Sequence, residues 1–293
     1  MTPLLLVPSD PLRPRRPDEH FAAEAAAARE AGIAVTVIDH DAAARAGGAD
    51  LAVSNVRVQG PAIYRGWMLH ADRYAALERS LADRGVVLRT AADQYRQAHE
   101  LPGWYEALAA ITPESVWTVG DERDAFDKAR AQLGEGPAVL RDYTKSMKHY
   151  WHEAAYVPDV ADGDAAWRVA SRFRELRGDD FTGGFVLRRF ESFTGAEVRT
   201  WWVDGGCRLV TAHPDSPGAL PPADLDPAGA ASLDAGGLAA AVRGLGLPFV
   251  TVDLALRDDD RWRVIELGDG QVSDRPTSIP AETFIEALIP HAG

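Results

Sequence analysis

The sequence predicts an α/β protein in which an open α/β domain is followed by a strand-rich remainder. Strands and helices alternate through the N-terminal part, a helical stretch is interrupted at Thr112-Pro113, and strands dominate the remainder of the chain. A chain of 293 residues is long enough for two or three compact lobes with cores of their own.

Leu4–Val7 has the continuous apolar character of a short buried strand, and Ala- and Glu-rich His20–Ala31 reads as a helix. Gly32 ends that helix, and the β-branched run Ile33–Ile38 completes a βαβ unit. Ala62–Arg65 and Val86–Leu88 read as two further strands, with a helix over Ala71–Asp83 between them. Helical pattern covers Ala91–Ile111, and the break after it sets an expected boundary at residue 112. Beyond it come a helix over Asp121–Leu133, a strand over Ala138–Arg141, a helix over Ala165–Leu176 and a strand over Phe185–Phe190. The last part gives strands at Glu197–Val203, Arg208–Ala212, Phe249–Leu256 and Trp262–Leu267, and helices at Ser232–Gly244 and Ala281–Leu288. Pro214–Pro227 reads as a surface loop.

Composition narrows the function. Hydrophobic residues make up 46% and charged residues 26%, and no apolar run reaches the roughly 20 residues needed to span a bilayer. The apolar start lacks the basic residues and length of a signal peptide, so a cytoplasmic location is expected. A lone Cys207 suits a reducing compartment and excludes Cys-x-x-Cys metal and redox motifs. The net charge of −13 repels polyanions, so neither nucleic acid nor a membrane is an expected partner.

Open sheets bind ligands beyond the carboxyl ends of their strands. Pro8–Pro17 follows the first strand and carries Arg13, Arg15 and Arg16; it reads equally as a solvated connection or as an anion-recognising loop. Arg65, ending an apolar strand before Gly66-Trp67, points to function, with a structural ion pair as the alternative. Three further segments carry charge in apolar surroundings. The first is Arg141 to His149, where Arg141, Lys145 and Lys148 follow a strand in a chain whose only other lysine is Lys128. Such cations can neutralise triphosphate oxygens. His149 and His152 have helical spacing but no matching ligands nearby, so packing or surface roles are expected.

The second segment is Gly184–Glu191 with Gly195–Val203, where a strand can offer backbone groups to a flat heterocycle and Glu197 can accept from sugar hydroxyls. Arg199 shares the strand face of Glu197. An ordinary paired hairpin with a Glu/Arg network is the alternative. The third is Asp253 and Glu266 on neighbouring strands joined by a polar turn. Two carboxylates so placed share a proton or are bridged by a cation, for which Mg²⁺ is the usual choice; otherwise one faces solvent or pairs with Arg. Gly268 and Gly270 bracket Asp269 and allow close backbone approach to a ligand, which would let Asp269 join Glu266 on the metal.

In this order the segments resemble the ATP-grasp superfamily, in particular the clade labelled for two arginines and a lysine; Tyr64–Met68 and Glu266–Ser273 carry the clade resemblance. The resemblance implies a pre-ATP-grasp α/β domain over 1–112 followed by a two-lobed ATP-grasp fold, with a small lobe over 113–190 and a C-terminal lobe carrying the metal-binding hairpin over 191–293, and with ATP and Mg²⁺ as cofactors. It implies that Arg141, Lys145 and Lys148 bind phosphates, that Leu187, Arg188, Arg189 and Phe190 hold adenine through backbone groups, and that Glu197 binds ribose. Arg199 would contact the reacting phosphates, and Asp253 and Glu266 would hold Mg²⁺. Gly268 stands where the family often has Asn, so either Asp269 substitutes or a second metal is held less completely.

The activity so implied is an ATP-dependent carboxylate–amine ligase working through an acyl phosphate. Arg65, Arg13, Arg15 and Arg16 are candidates for gripping an acidic substrate, with small-molecule or peptide acids and amines as partners. A small-molecule kinase using the same ATP site, or a nucleotide-binding module without turnover, are the competing readings. The sequence leaves the assembly state open, a homodimer included.

Overall fold

The computed structural model describes residues 3–289. Its strands are β1 (Leu4–Asp10), β2 (Arg13–Pro17), β3 (Val35–Ile38), β4 (Gly60–Tyr64), β5 (Val86–Leu88), β6 (Ser115–Trp117) and β7 (Ala138–Asp142). They continue with β8 (Tyr156–Val157), β9 (Phe185–Arg189), β10 (Val198–Val203), β11 (Gly206–Ala212), β12 (Phe249–Leu256) and β13 (Trp262–Asp269). The helices are α1 (Ala22–Glu30), α2 (His40–Ala44), α3 (Ala49–Ala52), α4 (Ala71–Ala82), α5 (Ala92–His99) and α6 (Leu101–Leu108). After them come α7 (Arg123–Leu133), α8 (Gly163–Arg177), α9 (Pro227–Ser232), α10 (Gly237–Gly244) and α11 (Ala281–Leu288). Among the described residues no helix is long and apolar enough to cross a membrane.

The chain divides into two compact units. One comprises 1–98, 196–254 and 267–293; the other comprises 99–195 and 255–266. In the first, β1 pairs in parallel with β3 and β4, and β4 with β5, which is the open sheet the βαβ pattern demands. Leu6, Tyr64, Tyr74 and Leu77 fill one face, and Val7, Phe21, Ile63 and Phe284 fill the other. In the second unit the sheet order is β6-β9-β7-β8, packed by Phe126, Phe173, Phe185 and Leu187. A third sheet has the order β11-β10-β12-β13.

Several elements differ from the sequence reading. The arginine segment is not an open loop: Ser9↔Pro17 and Asp10↔Arg13 pair it back on β1 as an antiparallel hairpin, held by Asp10 Oδ1, which accepts from the N–H groups of Leu12 and Arg13. Helix Ala91–Ile111 is two helices, because Glu100 is extended and Pro102 starts the second as an N-terminal residue. The expected helix from Ser232 is also broken, with Gly236 in a left-handed conformation before α10.

Arg65 is the main correction. It is 1% exposed, with its guanidinium turned to partners inside the protein instead of to an open substrate surface. Its Nε and Nη2 donate to Glu24 at 2.8 and 3.1 Å, and its Nη1 donates to the carbonyls of Gly270, Gln271 and Ser273. Arg275 lies 3.5 Å from the same carboxylate. The five-donor fork of arginine thus ties α1 and the segment after β13 to the end of β4. Glu24→Ala leaves two largely buried guanidinium groups short of their counter-ion; a loss of about 3–5 kcal/mol is expected, read from denaturant unfolding against wild type.

Candidate active site

β7 ends in Asp142, whose side chain builds the turn behind it. Asp142 Oδ1 accepts from the N–H groups of Thr144 and Lys145, both at 2.7 Å, while Oδ2 accepts from Arg177 Nε at 2.8 Å. Asp142 is fully buried, so its carboxylate is satisfied by the turn and by Arg177 in place of water. The turn presents Lys145, whose Nζ lies 3.4 Å from Glu266 Oε1. Arg141 Nη2 lies 3.8 Å from the same oxygen while donating to the Thr144 carbonyl at 2.7 Å. The cationic turn and the β13 carboxylate therefore face one another within one unit. Lys148 is exposed at the start of a short 3-10 turn, and His149 and His152 are exposed as well.

Beneath Glu266 lies a buried polar layer. Arg188 donates through Nη1 to the Ile265 carbonyl and through Nη2 to the Val264 carbonyl and the Thr112 hydroxyl. Burial first, and then the charge of Arg141, bring its guanidinium down to about 9. His99 is pushed to about 3 by burial and by Lys145, against the opposing charge of Glu266, so it is neutral at physiological pH.

β9 does not offer its backbone as expected. It is an inner strand, with Leu187 and Arg188 paired to both β6 and β7. The N–H groups of Arg189 and Phe190 already donate to the carbonyls of Glu114 and Pro137. The Arg189 side chain donates to the Glu135 and Leu133 carbonyls. The N–H groups of Arg189 and Phe190 are thus committed within the protein and are not open to the adenine contact expected of backbone groups at 187–190.

A second cluster lies in the other unit. The register places Arg199 opposite Asp253 on β12 and Thr211 on β11. Arg199 forks onto Asp253, Nε to Oδ1 at 2.8 Å and Nη2 to Oδ2 at 2.9 Å, with the carboxylate only 5% exposed. Burial opposes ionisation of Asp253, but the charges and hydrogen bonds of Arg199 and His213 outweigh it and hold the carboxyl well below its usual range. His213 Nε2 is 3.4 Å from Asp253 Oδ2 and 3.8 Å from Glu197 Oε2. Sequence reasoning misses His213, although the hairpin turn Asp204-Gly205, both with positive φ, fixes the pairing that puts it beside Glu197.

Asp269 is not a metal ligand. Side chains alternate along β13, so a residue three positions from Glu266 faces the opposite side. There it is wholly buried, and its oxygens accept from the Gln271 backbone N–H at 2.7 Å and from Gln271 Nε2 at 3.3 Å. Gly270 serves packing instead of a ligand, since a Cβ there would stand 2.5 Å from the Phe249 ring. Arg13, Arg15 and Arg16 are exposed on β2.

Burial lifts the Asp269 carboxyl from 3.8 to about 7. Between those values the native state holds a proton that the unfolded chain releases. Its stabilising effect is therefore full below the unfolded value and disappears as pH rises through the folded one. Asp269→Asn should remove this component. The wild-type minus mutant stability, followed by unfolding at several pH values, should fall by up to about 1.4 kcal/mol per unit as pH rises from about 4 to 7.

The family model for the ATP-grasp domain of the clade labelled for two arginines and a lysine, family 3, matches residues 132–288, more than half of the chain. Among solved structures, the RimK domain protein ATP-grasp from Sphaerobacter thermophilus DSM 20745 is similar over 97% of this chain and 98% of its own, with a TM-score of 0.60 and 16% identity. D-cycloserine synthetase DcsG covers 97% of this chain and 98% of its own, with a TM-score of 0.59 and 18% identity. The ATP-grasp ligase PsnB, complexed with minimal precursor, Mg and ADP, covers 97% and 96%, with a TM-score of 0.56 and 13% identity. No curated protein matches the chain. At these identities the likenesses concern the fold, a pre-ATP-grasp α/β domain followed by a two-lobed ATP-grasp fold. The chain belongs to family 3 of this two-arginine, one-lysine clade of ATP-grasp proteins.

Proposed function

We propose that this ATP-grasp protein is an ATP- and Mg²⁺-dependent ligase that joins a carboxylate to an amine. The observation that carries the reading is Glu266 held 3.4 Å from Lys145 and 3.8 Å from Arg141. A carboxylate beside one anchored and one half-exposed cation suits a triphosphate and its counter-ion better than a purely structural pair. The fold likeness to a synthetase and to a ligase complexed with minimal precursor, Mg and ADP supports the same class of chemistry.

Hard oxygen donors fit Mg²⁺, and Glu266, whose carboxylate is partly exposed beside the cationic turn, is the residue proposed to help hold it. When bound, the ion would supply neutralisation of phosphate charge. Arg141, fixed by the Thr144 carbonyl, would orient phosphate oxygens, and Lys145 and Lys148 would follow the charge as it develops. A substrate carboxylate oxygen attacks the γ-phosphorus as the bond to ADP breaks, giving an acyl phosphate. The amine then attacks the acyl carbon, phosphate leaves, and the amine proton passes to solvent or buffer. No protein nucleophile takes part. The acid is proposed to be a small-molecule or peptide carboxylate.

The decisive experiment supplies mixtures of acids and amines and measures ADP release together with the mass of the product. An amide and stoichiometric ADP support the ligase; a phosphorylated product without dependence on amine overturns it. Glu266→Gln should fold normally and lower kcat by about 100-fold or more, as expected when several kcal/mol of charge stabilisation are removed. Lys145→Met should raise KM for ATP by about tenfold, because the charge-assisted contact it replaces contributes about 1.5–3 kcal/mol. Unchanged kinetics in both variants would contradict the assignment.

A further inference from the structure

We infer that Arg188 is a positioning residue for phosphate: its buried guanidinium holds the strand at Glu266 and carries a charge that a bound polyphosphate balances. The polyphosphate is that of the nucleotide, so the inference rests on the ATP-dependent ligase reading. Register places Val139 opposite Arg188 and Val186 opposite Arg141, so both arginines stand on one face of the β6-β9-β7-β8 sheet. The other face carries Ala138, Leu140, Phe185 and Leu187 into the core. As diagonal neighbours on antiparallel strands, the two arginines stand about 7–8 Å apart at the backbone. Both are more than nine-tenths buried, at 6% and 5% exposure.

Two like charges so close and so dry call for counter-charge. Arg188 meets none in contact among the described residues. Its hydrogen bonds go to the carbonyls of Val264 and Ile265 and to the Thr112 hydroxyl, which are all neutral acceptors, and its buried Nε has no acceptor. The carboxylates whose charge reaches it are Glu266 and Glu191. Glu191 is engaged by Arg263 at 2.9 Å and by Arg257 at 3.6 Å. Glu266 is shared with Lys145 and Arg141. The two carbonyls that Arg188 grips belong to the two residues before Glu266, so the charge is tied to the backbone that sets this carboxylate in place. A phosphate chain on Arg141 and Lys145 brings negative charge to the face Arg188 shares, where little water screens the attraction.

The test measures binding without turnover. Tripolyphosphate, which lacks base and sugar, and adenosine, which lacks phosphate, are titrated by calorimetry into the full chain and into Arg188→Gln. That variant keeps an NH₂ donor and removes the charge. Tripolyphosphate should bind it about tenfold more weakly or worse, and adenosine as it binds wild type, with melting curves establishing that the variant folds. Arg188→Lys, which restores the charge, should recover most of the lost affinity. In wild type the Arg188 Nε–H resonance, assigned by its loss in Arg188→Lys, should shift when tripolyphosphate is added and stay in place with adenosine. Equal tripolyphosphate affinity in folded Arg188→Gln and wild type, an equal loss for both ligands, or an Nε–H resonance that tripolyphosphate leaves unmoved would overturn the inference. A wild-type chain that binds no tripolyphosphate would overturn it too. A chain that behaves as expected here but releases no ADP with any acid and amine would count against the ligase reading alone.

Discussion

One carboxylate, Glu266, and the cations next to it set the character of the candidate site. Its partners differ in freedom. Arg141 is buried and anchored to the turn carbonyl of Thr144, whereas the Lys145 side chain is half exposed. A pair as open as Lys145 with Glu266 contributes little to stability, of the order of 0–1 kcal/mol. Exchanging that partner for a phosphate oxygen therefore costs the fold almost nothing. The fixed element is underneath: Asp142 holds the turn backbone, so the lysine moves from a rigid base.

Asp253 has the opposite character. Its fork from Arg199 is bidentate and nearly dry, so removing the arginine would leave an uncompensated buried charge. The two acids share a sequence pattern, each flanked by apolar residues on a strand, yet one is locked and the other is open. What separates them is the cross-strand neighbour. Asp253 lies directly opposite Arg199, while Glu266 meets cations from a turn far away in sequence.

Much of this is legible in the residues. The βαβ alternation, the bounds of β5, β12 and α11, and the cationic turn follow from apolar runs, glycine stops and the scarcity of lysine. Parity on β13 is enough to exclude Asp269 from the face of Glu266, a signal that the bracketing glycines obscure. Arg65 resists sequence reading for a different reason. Its partners, Glu24 and the carbonyls after β13, are brought together only by tertiary folding, and no local pattern marks a guanidinium as a clamp. The short strands β6 and β8 escape notice because two or three residues carry no periodicity; they exist as partners of β9 and β7.

The division of labour between the two basic residue types has the same physical origin. Arg65, Arg188 and Arg263 are all buried, and each spreads its donors over several acceptors, with Arg263 reaching Glu191 and the Thr112 carbonyl. A guanidinium can be satisfied in a dry interior because its planar fork matches carbonyls and carboxylates on several sides at once. An ammonium is a compact, strongly hydrated charge on a flexible stem, poorly suited to that task and well suited to following a moving anion. Two of the three lysines in the chain stand in the turn after β7. Arginine is thus used where a charge must be held in the dry interior, while Lys145 and Lys148 stand exposed in the turn, where a flexible ammonium keeps its hydration.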